Sequence, residues 1–200
     1  MCYSLSSMFL LIKPSEDRIR RFIASQRDLP FSYPDVGATL ASPPAGFTLD
    51  HNRIEIGRGE DVFSRATVAI RQWKMFGMPW IRLCWPISRI EVGVTVAVLA
   101  RHLGFFSLNA CRIVSVIDTD DGIKKFGFAY GTLPDHAERG EERFMVEWNR
   151  ETDTVSYDLL AFSQPGHFLA KLGYPVARRL QKKFAAASKR AMFEAVNIRG

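Results

Sequence analysis

A series of strand-like runs closed by one long amphipathic helix limits what this chain can fold into. Phe47 to Ile56 alternates, Trp80 to Trp85 is short and apolar, and Val92, Val94, Val96 and Val98 alternate with smaller residues. Cys111 to Asp118 is a β-branched run, and Phe126 to Leu133, Glu142 to Asn149 and Val155 to Phe162 complete the set. Turn residues separate them: Gly104, Asp120-Asp121-Gly122, the stretch from Pro134 to Gly140, and Thr152-Asp153. Then the period changes. Leu169, Leu172, Val176, Leu180, Phe184, Ala187 and Ala191 recur at three- and four-residue steps, in a helix expected to kink or break at Pro175. Two shorter helices are expected earlier. Ser15 to Arg27 carries Ile19, Phe22 and Ile23 on one side, with Ser15 as its cap. Glu60 to Lys74 carries Phe63, Ala66, Ile70 and Trp73 in one stripe. Asp28 to Gly46 holds Pro30, Pro34, Gly37, Pro43, Pro44 and Gly46 and reads as irregular chain. The expected class is α+β: a curved antiparallel sheet of six or seven strands wrapped on a long carboxy-terminal helix.

Two hundred residues suffice for one domain that buries roughly 70% of its unfolded surface. The expected layout is a single domain over 1–200, with 1–30 as an amino-terminal helical extension and 31–200 as the core. No apolar run approaches the roughly 18 residues of a membrane span. Met8 to Ile12 is too short for a signal-peptide core and lacks its flanks, so the chain reads as cytoplasmic, with Met8 as an alternative start. Cys2, Cys84 and Cys111 are isolated, which argues against a disulfide framework or a zinc knuckle; Cys84 and Cys111 read as small core residues. The net charge of +6 has a local origin. Lys171, Arg178, Arg179, Lys182, Lys183, Lys189 and Arg190 occur without an acidic residue among them, and the remainder holds 20 basic against 21 acidic residues. That face reads as solvated. It lacks the interleaved aromatics of a base-stacking platform, so no nucleic acid is expected.

Chemistry concentrates between Gly127 and Phe144. As a strand, Phe126 to Leu133 turns Phe126, Phe128, Tyr130 and Thr132 one way and Gly127, Ala129, Gly131 and Leu133 the other. A Gly-Ala-Gly face is tolerated where something comes close: the closing helix, or alternatively a ligand. The next loop brings His136, Glu138, Glu141 and Glu142, which could act as acid/base groups or hard-metal ligands, or simply pair with Arg139 and Arg143. The His-x-Glu spacing is half of a zinc deaminase signature whose Cys half is absent. No metal and no cofactor is expected. Further along, Tyr157 and Asp158 face opposite sides of their strand, and the pattern leaves open which points inward. A buried Asp158 needs a partner, for which Arg112 is a candidate. Trp73, Trp80, Trp85 and Trp148 read as core or pocket-wall residues.

Several elements together resemble one family. They are Tyr33-x-x-Val36-Gly37-Ala38-Thr39, Trp73-x-Met75-Phe76, Asn109-x-Cys111-Arg112-Ile113-Val114 and Gly127-Phe128-Ala129-Tyr130-Gly131-Thr132-Leu133. His136-x-Glu138-x-Gly140-Glu141-Glu142-Arg143-Phe144, Ala161-Phe162-Ser163-x-Pro165 and Gln181 follow. With these the chain is similar to the domain-of-unknown-function family numbered nineteen-ninety. The resemblance implies a single domain and brings no activity with it. Where the family reads Phe-Ser-Arg-Pro this chain has Gln164, so a role for that arginine does not carry over. The element order also resembles the helix-grip fold of Bet v 1 and START-type proteins, which implies a pocket for an apolar ligand between sheet and helix.

Three functions follow as expectations. The first is a module binding a small apolar or amphipathic ligand between sheet and helix. Tyr130, Thr132, His136, Glu138 and Glu142 would set orientation, Phe144 and Trp148 would form walls, and Asp158 and Arg112 would contribute further polar groups. The second is a hydrolase or isomerase in the same cleft, with His136 or Glu142 as base and Tyr130 as oxyanion donor. The third is an adaptor for anionic surfaces through the basic helix. Composition leaves ligand identity and oligomeric state open.

Overall fold

The computed structural model describes residues 9–102, 104–166 and 174–197. Eight strands form one antiparallel sheet: β1 (Phe9–Leu10), β2 (Thr48–Arg58), β3 (Ile81–Cys84), β4 (Thr95–Arg101), β5 (Phe106–Asp120), β6 (Ile123–Thr132), β7 (Glu138–Asn149) and β8 (Thr154–Pro165). Seven lie in the continuous order β2-β8-β7-β6-β5-β4-β3, and β1 adds beside the start of β5. The first long strand thus pairs with the last, Thr48 opposite Ser163. Bulges between Ile113 and Ser115, and between Glu55 and Gly57, add to the sheet's bend. Among the described residues three α-helices accompany it: α1 (Glu16–Gln26), α2 (Glu60–Arg71) and α3 (Tyr174–Asn197). This is the helix-grip arrangement that the strand series predicts.

The concave face carries the larger core. Val96, Cys111, Ile113, Phe126, Phe128, Phe144, Val146, Tyr157 and Leu159 meet α2 through Phe63, Ala66 and Ile70, and meet α3 through Ala185, Met192 and Val196. A 3-10 turn at Lys74–Phe76 wedges Met75 and Phe76 between them. The convex face carries a second cluster in which Ile19 and Phe22 of α1 cover Leu10, Ala97, Leu99, Leu108, Ala110 and Leu133. Ser15 caps α1 as expected, its side chain accepting from Arg18 N. Cys84 and Cys111 are buried.

Two expectations about α3 change. Its buried stripe is Ala185, Ser188, Met192 and Val196, rotated from the apolar stripe read from the sequence, and Val176 is 61% exposed. The stripe turns because polar Arg178, Gln181 and Ser188 face the sheet. Pro175 lies in the first turn of α3, where its missing N–H is tolerated; Leu169, Leu172 and the rest of 167–173 lie outside the described residues. The basic face is largely engaged. Arg178 pairs with Asp50, Lys189 donates to Asn52, Lys183 sits over the Trp80 ring, and Arg190 pairs with Glu194. No helix among the described residues is long and apolar enough to cross a membrane.

Candidate functional site

Glu141 and Glu142 open the second half of the hairpin and, by strand alternation, point to opposite faces. Glu141 faces the convex side, where it is 3% exposed. It accepts from Tyr33 Oη at 2.7 Å, Gly37 N at 2.7 Å, Thr39 N at 3.0 Å, and Thr39 Oγ1. The Pro- and Gly-rich segment is therefore a strap, fastened through Glu141. Gly37 at φ +91° turns its N–H toward the carboxylate, a conformation that favours glycine. Gly131 lets the strap lie close: a Cβ there would stand 2.1 Å from Tyr33 Oη. At Gly131 the Gly-Ala-Gly face thus receives the strap, and not the closing helix as expected, because α3 occupies the other face; at Gly127 the close neighbour is the β7 backbone at Phe144 and Met145. Burial and the Glu141 carboxylate both push the Tyr33 phenol up.

Asp158 points to the same convex side and is 2% exposed, while Tyr157 points inward. The expected Arg112 partner is replaced. Arg143 reaches Asp158 at 2.8 Å and His51 Nε2 lies at 2.7 Å, with Arg53 further away at 3.4 Å. Arg143 also donates to Thr39 O. Burial opposes ionisation of Asp158, yet the bonds to His51 and Arg143 hold its carboxyl below the usual range. Arg112 instead donates to the carbonyls of Gln26, Arg27 and Leu29, closing the carboxy end of α1. Thr132 fastens the hairpin to the strap, accepting from Gly140 N and lying 2.6 Å from Ser32 Oγ. Asp158 and Arg112 therefore serve the convex side, and Thr132 ties the end of β6 to the strap and to Gly140.

The concave side collects the rest. Tyr130 and Glu142 are paired across β6 and β7, and Tyr130 Oη donates to Glu142 Oε2 at 2.8 Å. Below them lie Phe76, Phe128 and Phe144. Tyr157 Oη and Ser188 Oγ are 2.8 Å apart, both fully buried. Glu138 accepts both oxygens' bonds from Gln181 Nε2, at 2.6 and 2.5 Å, and Gln181 also donates to Ser163 Oγ. Arg178 Nη2 donates to Asp50 Oδ1 at 2.6 Å, and Arg178 also bonds Gln181. Glu142 lies on β7 between Glu138, which meets Gln181, and Phe144, which packs on Phe184.

Electrostatics single out Glu142. Burial pushes its carboxyl up to about 7, the Glu138 and Asp50 charges add to that, and the Tyr130 bond only partly opposes it. Burial also raises the Tyr130 phenol and the Cys111 thiol. Glu138 rises for the same reason, restrained by Gln181 and Ser163. A carboxyl that titrates near neutrality next to a hydroxyl donor can exchange a proton or orient a polar head group.

His136 does not join this pair. Its Nδ1 accepts from Glu138 N at 3.0 Å, within its own loop, and burial lowers it to about 4, so it is neutral at pH 7. Trp148 sits at the far end of β7, with Asp153 and Phe63 as neighbours. Phe144 is fully buried in the packed aromatic centre. The sequence reading missed Asp50, Arg178 and Ser188. Inward-facing polar residues on an alternating strand and inside a helical stripe were the available signals. Two open hollows flank the second half of α3, and neither is lined by Tyr130 or Glu142. One of about 630 Å³ is lined by Val68, Lys74 and Ala191, and one of about 360 Å³ by Ile54 and Phe193. Among the described residues no group of three or more His, Cys, Asp or Glu side chains could hold a metal ion.

Comparison with known proteins places these residues in a wider setting. Residues 32–191 match the model described as Domain of unknown function (DUF1990). A UPF0548 protein of Dictyostelium discoideum is 38% identical over 207 residues, covering 94% of this chain and 96% of that protein. A UPF0548 protein of Deinococcus radiodurans is 32% identical, covering 89% of this chain and 93% of its own. Among solved structures, a hypothetical protein of Helicobacter pylori aligns with a TM-score of 0.52 at 10% identity, over 84% of this chain and 96% of that one, a likeness of fold alone.

Proposed function

This chain belongs to the DUF1990 family, and on the helix-grip frame described above we propose that it binds a small amphipathic molecule at the Tyr130–Glu142 end of the gap between sheet and α3. The observation that carries this reading is Glu142 itself. A half-buried position beside the aromatic core that bears a carboxyl with one hydrogen-bond donor among the described residues, Tyr130, costs stability that an apolar residue would not. Such a cost is a mark of a site more than of a packing solution. Phe76, Phe128, Phe144 and Phe184 fill the middle of the gap, so the ligand would sit at the end where α3 begins. Its head group would donate a hydrogen bond to Glu142, and its apolar part would rest on the aromatic floor.

The test is native mass spectrometry of protein purified under mild conditions, followed by a thermal-shift screen of amphipathic molecules on wild type and Glu142→Gln. Binding raises the melting temperature by mass action. A hit whose affinity falls at least tenfold in Glu142→Gln supports the reading. Hits that bind both proteins equally, or no bound molecule in either assay, end it. A second reading rests on the same carboxyl: with its pKa near 7 and Tyr130 beside it, Glu142 is suited to general acid/base work on a small carbonyl compound. His136 has no part in that version, since its ring is tied to its own loop.

A further inference from the structure

The two halves of α3 are held to the molecule in different ways. From Phe184 onward the helix belongs to the concave core, through Ala185, Met192 and Val196 with Phe184 and Ala195 packed against them. Its end is tied as well: Asn197 donates to Ile56 O, and Arg65 donates to Val196 O. Before Phe184 the pattern changes. None of residues 175–183 is fully buried, and none joins that core. Polar groups fasten this half. Arg178 pairs with Asp50 on β2, and Gln181 bonds Glu138 on β7 and Ser163 on β8. Lys183 adds a contact over the Trp80 ring.

These two kinds of attachment respond differently to a fluctuation. Releasing the second half exposes large apolar surface to water, which is opposed by the main driving force of folding. Releasing the first half exchanges side-chain bonds for bonds to water, and such partly exposed pairs contribute little net stability. Segments with few apolar contacts open locally, far below the free energy of global unfolding. The first half reaches β7 at Glu138 through Gln181, and Phe184 packs on Phe144, so Glu142 lies between these two contacts.

We propose that residues 175–183 are a lid over Glu142, shut by the Arg178–Asp50 and Gln181–Glu138 clasps and released while the second half of α3 stays docked. The function of the lid rests on the binding reading above; its existence does not. Bonds to three strands, from Arg178 to Asp50 and from Gln181 to Glu138 and Ser163, make closure sensitive to what occupies the gap, since a ligand reaching Glu138 or Glu142 competes with or reinforces the Gln181 bond.

Hydrogen–deuterium exchange of the full chain, with no ligand added, tests it. The amides of residues 179–183 are expected to exchange at least tenfold faster than those of residues 188–196. Arg178→Gln is expected to speed the first group a further three- to tenfold and leave the second unchanged, and Asp50→Asn, on the opposite partner, is expected to do the same. Equal exchange in both halves of the wild type overturns the proposal, and so does an acceleration shared by both halves in either variant. A lid that behaves as stated in a protein that retains no ligand would leave this inference standing and remove the binding function instead.

Discussion

The convex and concave faces of the sheet each take in a carboxylate, from consecutive residues of β7. Glu141 meets a hydroxyl, two backbone N–H groups and a second hydroxyl, all from the strap. Glu142 meets Tyr130 over an aromatic floor. The first is met by four donors and acts as a fastening. The second is undersupplied, and its affinity for a proton rises to near neutrality. Sequence position and residue type do not separate a structural acid from a candidate functional one here. The supply of donors does.

The largest effect is expected on the convex side. Glu141→Ala leaves Tyr33 Oη and the N–H groups of Gly37 and Thr39 without their acceptor. It should cost about 4 kcal/mol in urea unfolding, because several buried donors go unsatisfied at once. A loss below about 1 kcal/mol would mean that the strap is held by other contacts.

Glu142→Gln should act in the opposite direction. The folded carboxyl titrates near 7, and the ordinary value is 4.5. Below the ordinary value both states are protonated and the group contributes nothing. As pH rises toward 7 the unfolded chain releases its proton first, so stability falls, and the loss is complete above the folded value. The full effect is about 3 kcal/mol. Wild type should therefore be less stable than Glu142→Gln at pH 8 by up to that amount, and the two should converge at pH 4. Parallel stability curves across that range would contradict the assignment.

A smaller effect sharpens the convex half of the comparison. Gly131→Ala pushes Tyr33 off its seat and should cost about 2 kcal/mol. In a Glu141→Ala background the same change should cost much less, because the strap is already loose. The smallest expected effect belongs to Tyr130→Phe, about 1 kcal/mol or less. Its sharper readout is the carboxyl titration of Glu142 by NMR, which should move above 7 once the bond that favours the ionised form is gone. A downward move would show that Tyr130 does not support the ionised carboxylate.

The strands were legible because their side-chain period is two and their turns carry Gly, Asp and Pro. The same alternation put Phe126, Phe128 and Tyr130 on one face, where they are found against the core. The orientation of Asp158 was not legible, since both faces of β8 are covered and its neighbours are apolar whichever way it points. The stripe of α3 was misplaced because a search for apolar residues favours Val176 and Leu180 over the inward Arg178, Gln181 and Ser188. The strap had no period to read, and its bonds to Glu141 span 102 to 108 residues. Long-range pairings of that kind leave no local trace, although their two ends are visible as motifs.

That span also bears on the order of events during synthesis. The strap and β2 leave the ribosome early, but their anchors on β7 and β8 are made about a hundred residues later. Phe31, Tyr33 and Phe47, whose rings pack on one another or on Phe162 in the finished protein, must wait in the nascent chain with nothing to rest on. Closing such distant pairings is slow, and the waiting segment is open to association with other chains. Nascent chains halted before Glu141 should hold this segment open to protease, and its protection should appear only once β8 has emerged.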